Sequence, residues 1–311
     1  MNNNLAFVFP GQGSQKIGML SELAEFNSIV EDTLSQASEV LGYDLWKMSQ
    51  EGSQEQINLT ERTQPLLLAS SVAVWRVWMD KNGAMPAVLA GHSLGEWSAL
   101  VCAGAVKFED AVGIVRSRGA LMQDAVPVGI GAMAAIIGLD DESICQSCAD
   151  ARGDEVVDAV NFNAPGQVVI AGSADAVGRA IELCKAAGAK RSLPLPVSAP
   201  FHTSLMAPAA EGLTEQVRSV MFSAPEIPVI HNVHGQSESD PAVIKQLMLE
   251  QIYSPVRWVD CVLELRRRGA EQFVECGPGR VLSGLSKRIN REIVSFSTDD
   301  VASLKNALAT V

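Results

Sequence analysis

Ser93 has the setting of a nucleophile. It is the centre of Gly91-His92-Ser93-Leu94-Gly95, with the apolar run Ala87 to Ala90 before it and a helical pattern from Glu96 to Ala103 after it. A sharp strand-to-helix turn of this kind exposes a hydroxyl, and glycines two residues to either side let the turn close without Cβ clashes. The N-terminus of the following helix adds N–H donors and positive potential. The same five residues could form a plain tight turn, so the chemistry depends on finding a base.

The chain has four histidines. His92 adjoins the serine and is expected to point elsewhere on the turn. His231 and His234 lie in or just after a strand-like stretch, Val229 to Val233. His202, in Pro200-Phe201-His202-Thr203-Ser204, remains as the base, and Ser before His is the chain order of α/β-hydrolases. Alone, a histidine in the setting of His202 is more often a structural loop residue than a base.

Arg118 is placed oddly. Ala111, Val115, Arg118 and Met122 share one face of the helix expected over Glu109 to Gln123, and the other three are apolar. A charge on an inward stripe is costly unless paired. No acidic residue lies three or four positions away on that stripe. The partner is either a distant structural carboxylate or a ligand carboxylate, which a guanidinium binds through two parallel hydrogen bonds. Arg116 lies on another face and reads as ordinary. A glycine turn, Gly11-Gln12-Gly13, follows the first apolar run. Lys16 stands where a dinucleotide fingerprint would need glycine, and no Walker loop fits. Such a turn can instead offer a backbone N–H to an oxyanion.

These residues need elements to hold them. Leu5 to Phe9 and Ala87 to Ala90 read as short buried strands. Glu22 to Leu41 and Gln64 to Met79 read as helices, Pro65 suiting the first turn of the second. Strands alternating with helices predict an α/β fold, a mostly parallel sheet with helices on both faces. The pattern changes after Pro127. Strands at Met133 to Ile137, Glu155 to Phe162, Gln167 to Ala171 and Lys190 to Leu195 interleave with helices at Asp141 to Ala151 and Ala174 to Ala187. That βαββαβ order is the split unit of ferredoxin-like domains. We expect residues 128–197 to be such a subdomain, inserted into a larger hydrolase-like domain of 1–127 and 198–311, which resumes through Val229 to Val233 and Gln272 to Glu275.

Composition limits the partners. Hydrophobic residues make up 47% and charged residues 19% of the 311, enough for a large core. A formal net charge of -12 repels a phosphate backbone, and no basic patch for nucleic acid is visible. No basic start precedes the first apolar run, and no run approaches the ~20 apolar residues of a membrane helix. A cytoplasmic protein without membrane or nucleic-acid partners is expected. Cys145-x-x-Cys148 and His231-x-x-His234 could suggest a redox or zinc site. However, Asp140-Asp141-Glu142 caps a helix that contains both cysteines, so core thiols and surface imidazoles are expected, with no metal.

Taken together, the motifs resemble one family. Phe-Pro-Gly-Gln-Gly-Ser-Gln at 9–15, Gly-His-Ser-Leu-Gly-Glu at 91–96, Arg-Ser-Arg-Gly at 116–119, Asn161-Phe162-Asn163, Pro-Phe-His at 200–202, the stretch Gln251 to Trp258 and Gly-Pro-Gly at 277–279 are similar to the malonyl-CoA:acyl carrier protein transacylases of bacterial fatty-acid synthesis. The same motifs occur in acyltransferase domains of polyketide synthases. The resemblance runs in order over nearly the whole chain. It implies Ser93 as nucleophile, His202 as base, and the N–H groups of Gln12 and Leu94 as oxyanion hole. It implies Arg118 for the malonyl carboxylate, Gln251 for orienting the site through its backbone carbonyl, and Asn163 at the entrance. Phe201 resembles the malonyl-preferring pattern. Malonyl-CoA and acyl carrier protein are the implied partners, and no cofactor is implied beyond coenzyme A as part of the substrate. The family lacks the acid of a hydrolase triad. Two other classes fit the residues less fully: a serine thioesterase using water, and a non-catalytic carrier-binding module.

Overall fold

The computed structural model describes residues 2–197 and 199–311. Met1 and Ser198, the first residues of the two stretches expected to build the large domain, lie outside the described residues.

The fold is α/β. A five-stranded sheet has the order β7 (Val229–Ile230), β2 (Pro86–Gly91), β1 (Asn2–Phe9), β8 (Gln272–Glu275), β9 (Val294–Ser297), and every neighbouring pair is parallel. Alternation along the strands divides the core. Leu5, Phe7, Phe9, Leu89 and Val274 face one layer of helices; Ala6, Val8, Val88, Ala90 and Phe273 face the other. On the first side Phe7 meets Trp75 and Trp78 edge-on, at 5.3 and 5.1 Å between ring centres. On the second side Trp258, Val262 and Leu265 of the helix Trp258–Arg267 close the sheet. Each large apolar side chain buried here contributes about 1.5–3 kcal/mol. Among the described residues, no helix is long and apolar enough to cross a membrane.

A second sheet has the order β4 (Val157–Ala164), β5 (Gln167–Ser173), β3 (Gly131–Ile137), β6 (Arg191–Pro194), and all its pairs are antiparallel. One face packs on the helices Asp141–Arg152 and Ala174–Ala186 through Ile136, Ile144, Val168 and Val177. The other face packs through Met133, Val160 and Val169 against Leu195, Val197 and Phe201. That second contact brings this sheet to the residues around His202.

Three expected elements differ. The helix from Glu22 to Leu41 is two, Ser21–Phe26 and Ile29–Leu41. Asn27 between them is extended, and its Oδ1 accepts from the Ile29 N–H, which caps the second helix. The helix containing Pro65 starts at Thr60, so the proline sits in the second turn rather than the first. The Leu59 carbonyl accepts from Arg62 and Thr63 and closes a turn ahead of the proline. The strand at Val229 ends at Ile230, because His231 and Asn232 are held by side chains near Ser93 rather than by a neighbouring strand.

The helix Phe108–Asp124, which carries Arg118, crosses the helix Thr60–Asp80 at Gly119. A Cβ at 119 would lie 2.5 Å from the Thr60 carbonyl oxygen, backbone that cannot swing aside. Gly119→Ala is therefore expected to cost about 1–3 kcal/mol, read as a fall in thermal midpoint of several degrees. A midpoint equal to that of the parent would show that the two helices do not approach this closely.

Candidate active site

Ser93 sits where β2 becomes the helix Leu94–Cys102, with φ 50° and ψ −108°. This is strained backbone for a residue with a Cβ, and such strain persists only where the surroundings impose it. Gly91 and Gly95 make the turn possible. A Cβ on Gly91 would lie 1.9 Å from the Gly95 carbonyl carbon, and a Cβ on Gly95 would lie 2.1 Å from the Phe9 carbonyl oxygen on β1. Asn232 braces both ends, accepting from the Ser93 N–H at 2.7 Å and donating to the Gly91 carbonyl at 2.7 Å.

The Ser93 hydroxyl is 2.8 Å from His202 Nε2. His202 Nδ1 is 2.8 Å from the Gln251 backbone carbonyl, which can only accept. Nδ1 therefore carries the proton, and the Nε2 lone pair receives the Ser93 O–H. His202 itself has a left-handed backbone, φ 65°, in a buried position. Burial, and next the charge of Arg118, push its imidazole down to about 3. At neutral pH it is an uncharged base.

Arg118 is 1% exposed. Nη1 donates to Gln64 Oε1 and Nη2 to Gln251 Oε1, each at 2.9 Å, and Nη2 also stands 3.4 Å from Ser93 Oγ. The two partners at 2.9 Å are neutral amides and the third is a hydroxyl, and Nε has none among the described residues. Burial pulls this guanidinium down to about 10, against the opposing charge of Glu96, so it stays cationic at neutral pH. A buried cation therefore faces the Ser93 oxygen with no carboxylate in contact among the described residues.

The space above Ser93 is a cavity of about 120 Å³, lined on the parallel-sheet side by Gln12, Gln64, Leu94, Arg118 and Met122, and on the other by Met133, Asn161, Leu195, Val197 and Phe201. Leu94 opens its helix, so its N–H is among the donors that a helix terminus leaves free. The fold thus brings Ser93, His202, Gln12, Leu94, Arg118, Gln251 and Phe201 together. Asn163 is held nearby but engaged: its Oδ1 accepts from His92 Nε2 at 2.7 Å. His92, expected to point away, lines the cavity with its ring 5.5 Å from that of Trp258. Asn161 lines the cavity in turn, its Oδ1 buried and unpartnered among the described residues.

Several site residues escaped the sequence reading. Gln64, Glu96, His231 and Asn232 are all buried there. Glu96 had one available signal, a carboxylate in the first turn of a helix with no cation at helical spacing. His231, expected at the surface, is fully buried because it donates to Glu96 from Nδ1 at 2.7 Å. Cys148 is buried as expected of a core thiol, whereas Cys145 is exposed, and all six thiols are free.

The comparisons with known proteins agree on one family. The model of the acyl transferase domain matches residues 6–304. The malonyl CoA-acyl carrier protein transacylase of Salmonella typhimurium is 54% identical over 303 residues, 97% of this chain and 98% of that one. The protein of the same name from Bacillus subtilis is 45% identical over 311 residues, 99% of this chain and 98% of that one. Among solved structures, an acyl carrier protein S-malonyltransferase from Vibrio cholerae superposes with a TM-score of 0.96 at 57% identity, covering 97% of this chain and 99% of that one. A malonyl-transacylase solved in complex with a type II polyketide synthase acyl-carrier protein superposes at 0.98 with 51% identity, covering 99% and 100%.

The depressed imidazole has a kinetic and a stability consequence. An unfolded chain takes up a proton at His202 near pH ~6.5, whereas the folded chain refuses it until about 3. The stability this group preserves is complete above pH ~6.5 and is lost as pH falls toward about 3. Over the same window the base stays competent. For acylation of Ser93 by a thioester, kcat/KM is expected to be flat between about pH 5.5 and 8. A halving near pH ~6.5 would mean that His202 is solvated rather than buried.

Proposed function

The chain belongs to the acyl transferase domain family, and on that footing we propose that it moves a malonyl group from malonyl-CoA to the phosphopantetheine thiol of acyl carrier protein through an ester on Ser93. The observation that carries the choice of acyl group is Arg118, a buried cation 3.4 Å from the Ser93 oxygen whose other side-chain partners are neutral amides.

Each half-reaction moves one proton through His202. In the first, Nε2 takes the Ser93 proton as Oγ attacks the thioester carbonyl. The N–H groups of Gln12 and Leu94 receive the oxyanion, a role in which one donor is worth ~10²–10³ in rate. The tetrahedral centre expels the CoA sulfur, which leaves with the proton from Nε2. In the second, the carrier thiol gives its proton to Nε2 and attacks the ester carbonyl, and Ser93 Oγ leaves and recovers the proton. General-base help of this kind is worth ~10²–10⁴. No step calls on a metal or redox cofactor.

The carbonyl of Gln251 stands where a hydrolase has a carboxylate. An anion there would repel a malonate in a cavity of low dielectric. It would also raise the imidazole toward protonation beside Arg118. A neutral acceptor orients the ring and does neither.

The finer architecture follows the same reading. The antiparallel sheet with its two helices is a ferredoxin-like βαββαβ insert, residues 128–197, on a hydrolase-like domain of 1–127 and 198–311. The strand order β4-β5-β3-β6 supports it. A cytoplasmic location suits the substrate and six unpaired thiols. The carrier docks on a basic groove. Lys190, just before β6, and Arg191 at its start meet Lys287, Arg288 and Arg291 around a space of about 610 Å³, and Arg288 reaches across to Gln167. On a chain of net charge -12, an acidic partner needs such a patch. Charge reversal of Arg288 and Arg291 to Glu is expected to raise the carrier KM and its salt sensitivity, and to leave the malonyl-CoA KM nearly unchanged. Carrier kinetics that do not change would remove the groove from the proposal.

The substrate assignment is tested on Arg118 itself. A shielded bidentate pair with carboxylate is worth about 1.5–3 kcal/mol. Arg118→Ala should then lower kcat/KM for malonyl-CoA roughly 10- to 150-fold. Acetyl-CoA, lacking the carboxylate, should hold its rate or gain, and Arg118→Lys should restore only part of the malonyl rate. Mass spectrometry of enzyme incubated with malonyl-CoA should place the acyl group on Ser93, and Ser93→Ala should stay unlabelled. An equal fall for both substrates in a folded Arg118→Ala would make the arginine structural and remove the basis for malonyl.

A further inference from the structure

Glu96 is a carboxylate with no exposure, in the first turn of the helix that starts at Leu94. Neither of its oxygens touches substrate space. Oε1 accepts from His231 Nδ1 at 2.7 Å; Oε2 accepts from the Asn232 N–H at 3.0 Å and from Gln251 Nε2 at 2.7 Å. Asn232 is the residue that braces Ser93.

Gln251 is the junction of the site. Its Nε2 also donates to the Ser93 carbonyl at 3.0 Å, its Oε1 accepts from Arg118, and its backbone carbonyl accepts from His202. An amide side chain has two nearly isosteric ends, and only one way round works here. Turned over, it would aim its NH₂ at the guanidinium and its oxygen at the Ser93 carbonyl. Glu96 Oε2 is a pure acceptor on the NH₂ side, and it makes the reversed orientation repulsive there as well.

We propose that Glu96 is a positioning residue for the transfer: its carboxylate holds the Gln251 amide in the one orientation that serves Arg118 and Ser93 together, and so aligns the nucleophile, the base and the cation. This rests on the reading of Ser93 as the acylated residue. The work is done by the reach of an acceptor oxygen to Gln251 rather than by the charge, which lets two conservative substitutions separate the causes. Glu96→Gln keeps the reach and loses the charge. Its oxygen can serve Asn232 and Gln251 while its NH₂ turns to His231, whose ring moves its proton to Nε2, a nitrogen with no partner among the described residues. Glu96→Asp keeps the charge and withdraws both oxygens by one methylene.

The experiment measures the single-turnover rate of Ser93 acylation by malonyl-CoA, with its amplitude as the fraction of competent chains. Glu96→Gln is expected to acylate within about threefold of the parent. Glu96→Asp is expected to be about 10- to 100-fold slower at full amplitude, as with other losses of a supporting contact. In a Gln251→Met background, with no amide left to orient, Glu96→Asp should cost less than about twofold more. The proposal is overturned by Glu96→Asp at the parent rate, by the same fold loss in both backgrounds, or by a lower amplitude with an unchanged rate. If Glu96→Asp does not fold, Glu96→Gln decides: a loss above about tenfold at full amplitude also overturns it. A parent enzyme that does not acylate Ser93 would instead sink the nucleophile reading and leave these contacts unused.

Discussion

A guanidinium that is 1% exposed and touches no carboxylate among the described residues governs this site. Burying a cation costs several kcal/mol unless hydrogen bonds and charge replace the lost water. Here Gln64 and Gln251 provide oxygens without charge, and Glu96 provides charge at one remove, through Gln251. The arrangement keeps Arg118 cationic and in place but leaves its electrostatic demand unmet on the side of Ser93. On the proposed function, an anionic acyl group meets it.

The same cation sets the terms for the base. A carboxylate behind His202 would partly neutralise Arg118 and draw a proton onto the imidazole. The Gln251 carbonyl fixes the tautomer and leaves the ring neutral, and the positive field of Arg118 keeps it so. The depressed imidazole is a weaker base in the resting state. That weakness is offset by a hydroxyl already hydrogen-bonded to it at 2.8 Å and by a turn whose strain holds Ser93 out of its helix.

Two sheets of different hydrogen-bonding pattern divide the work. The parallel sheet ends its central strands at Phe9 and Gly91, and their register sets the glycine turn beside the nucleophile. The antiparallel sheet presents Met133 and Asn161 to the same cavity from the opposite side. The floor carries Ser93 and Arg118; the roof is mostly apolar, which keeps water away from the Ser93 oxygen.

Much of this was legible in the sequence, because it was local. A strand, two spaced glycines and a helix cap specify the turn at Ser93, since those constraints act within five residues. Helical spacing alone placed Arg118 on an apolar stripe. The interleaving of strands and helices gave the α/β class. What the sequence did not disclose is what depends on contacts between distant segments. Glu96 meets His231, Asn232 and Gln251 across 135, 136 and 155 residues, and no periodicity relates them. That Asn161 lines the cavity was closed to it as well, because the ladder of β4 slips between Ala159 and Asn161 and again between Phe162 and Ala164, which re-aims side chains that simple alternation would assign. Local sterics and spacing determined which residues could react. Only the tertiary structure decided which buried polar groups hold them, because a hydrogen bond in a core is satisfied by whatever the fold brings within 3 Å, at any distance along the chain.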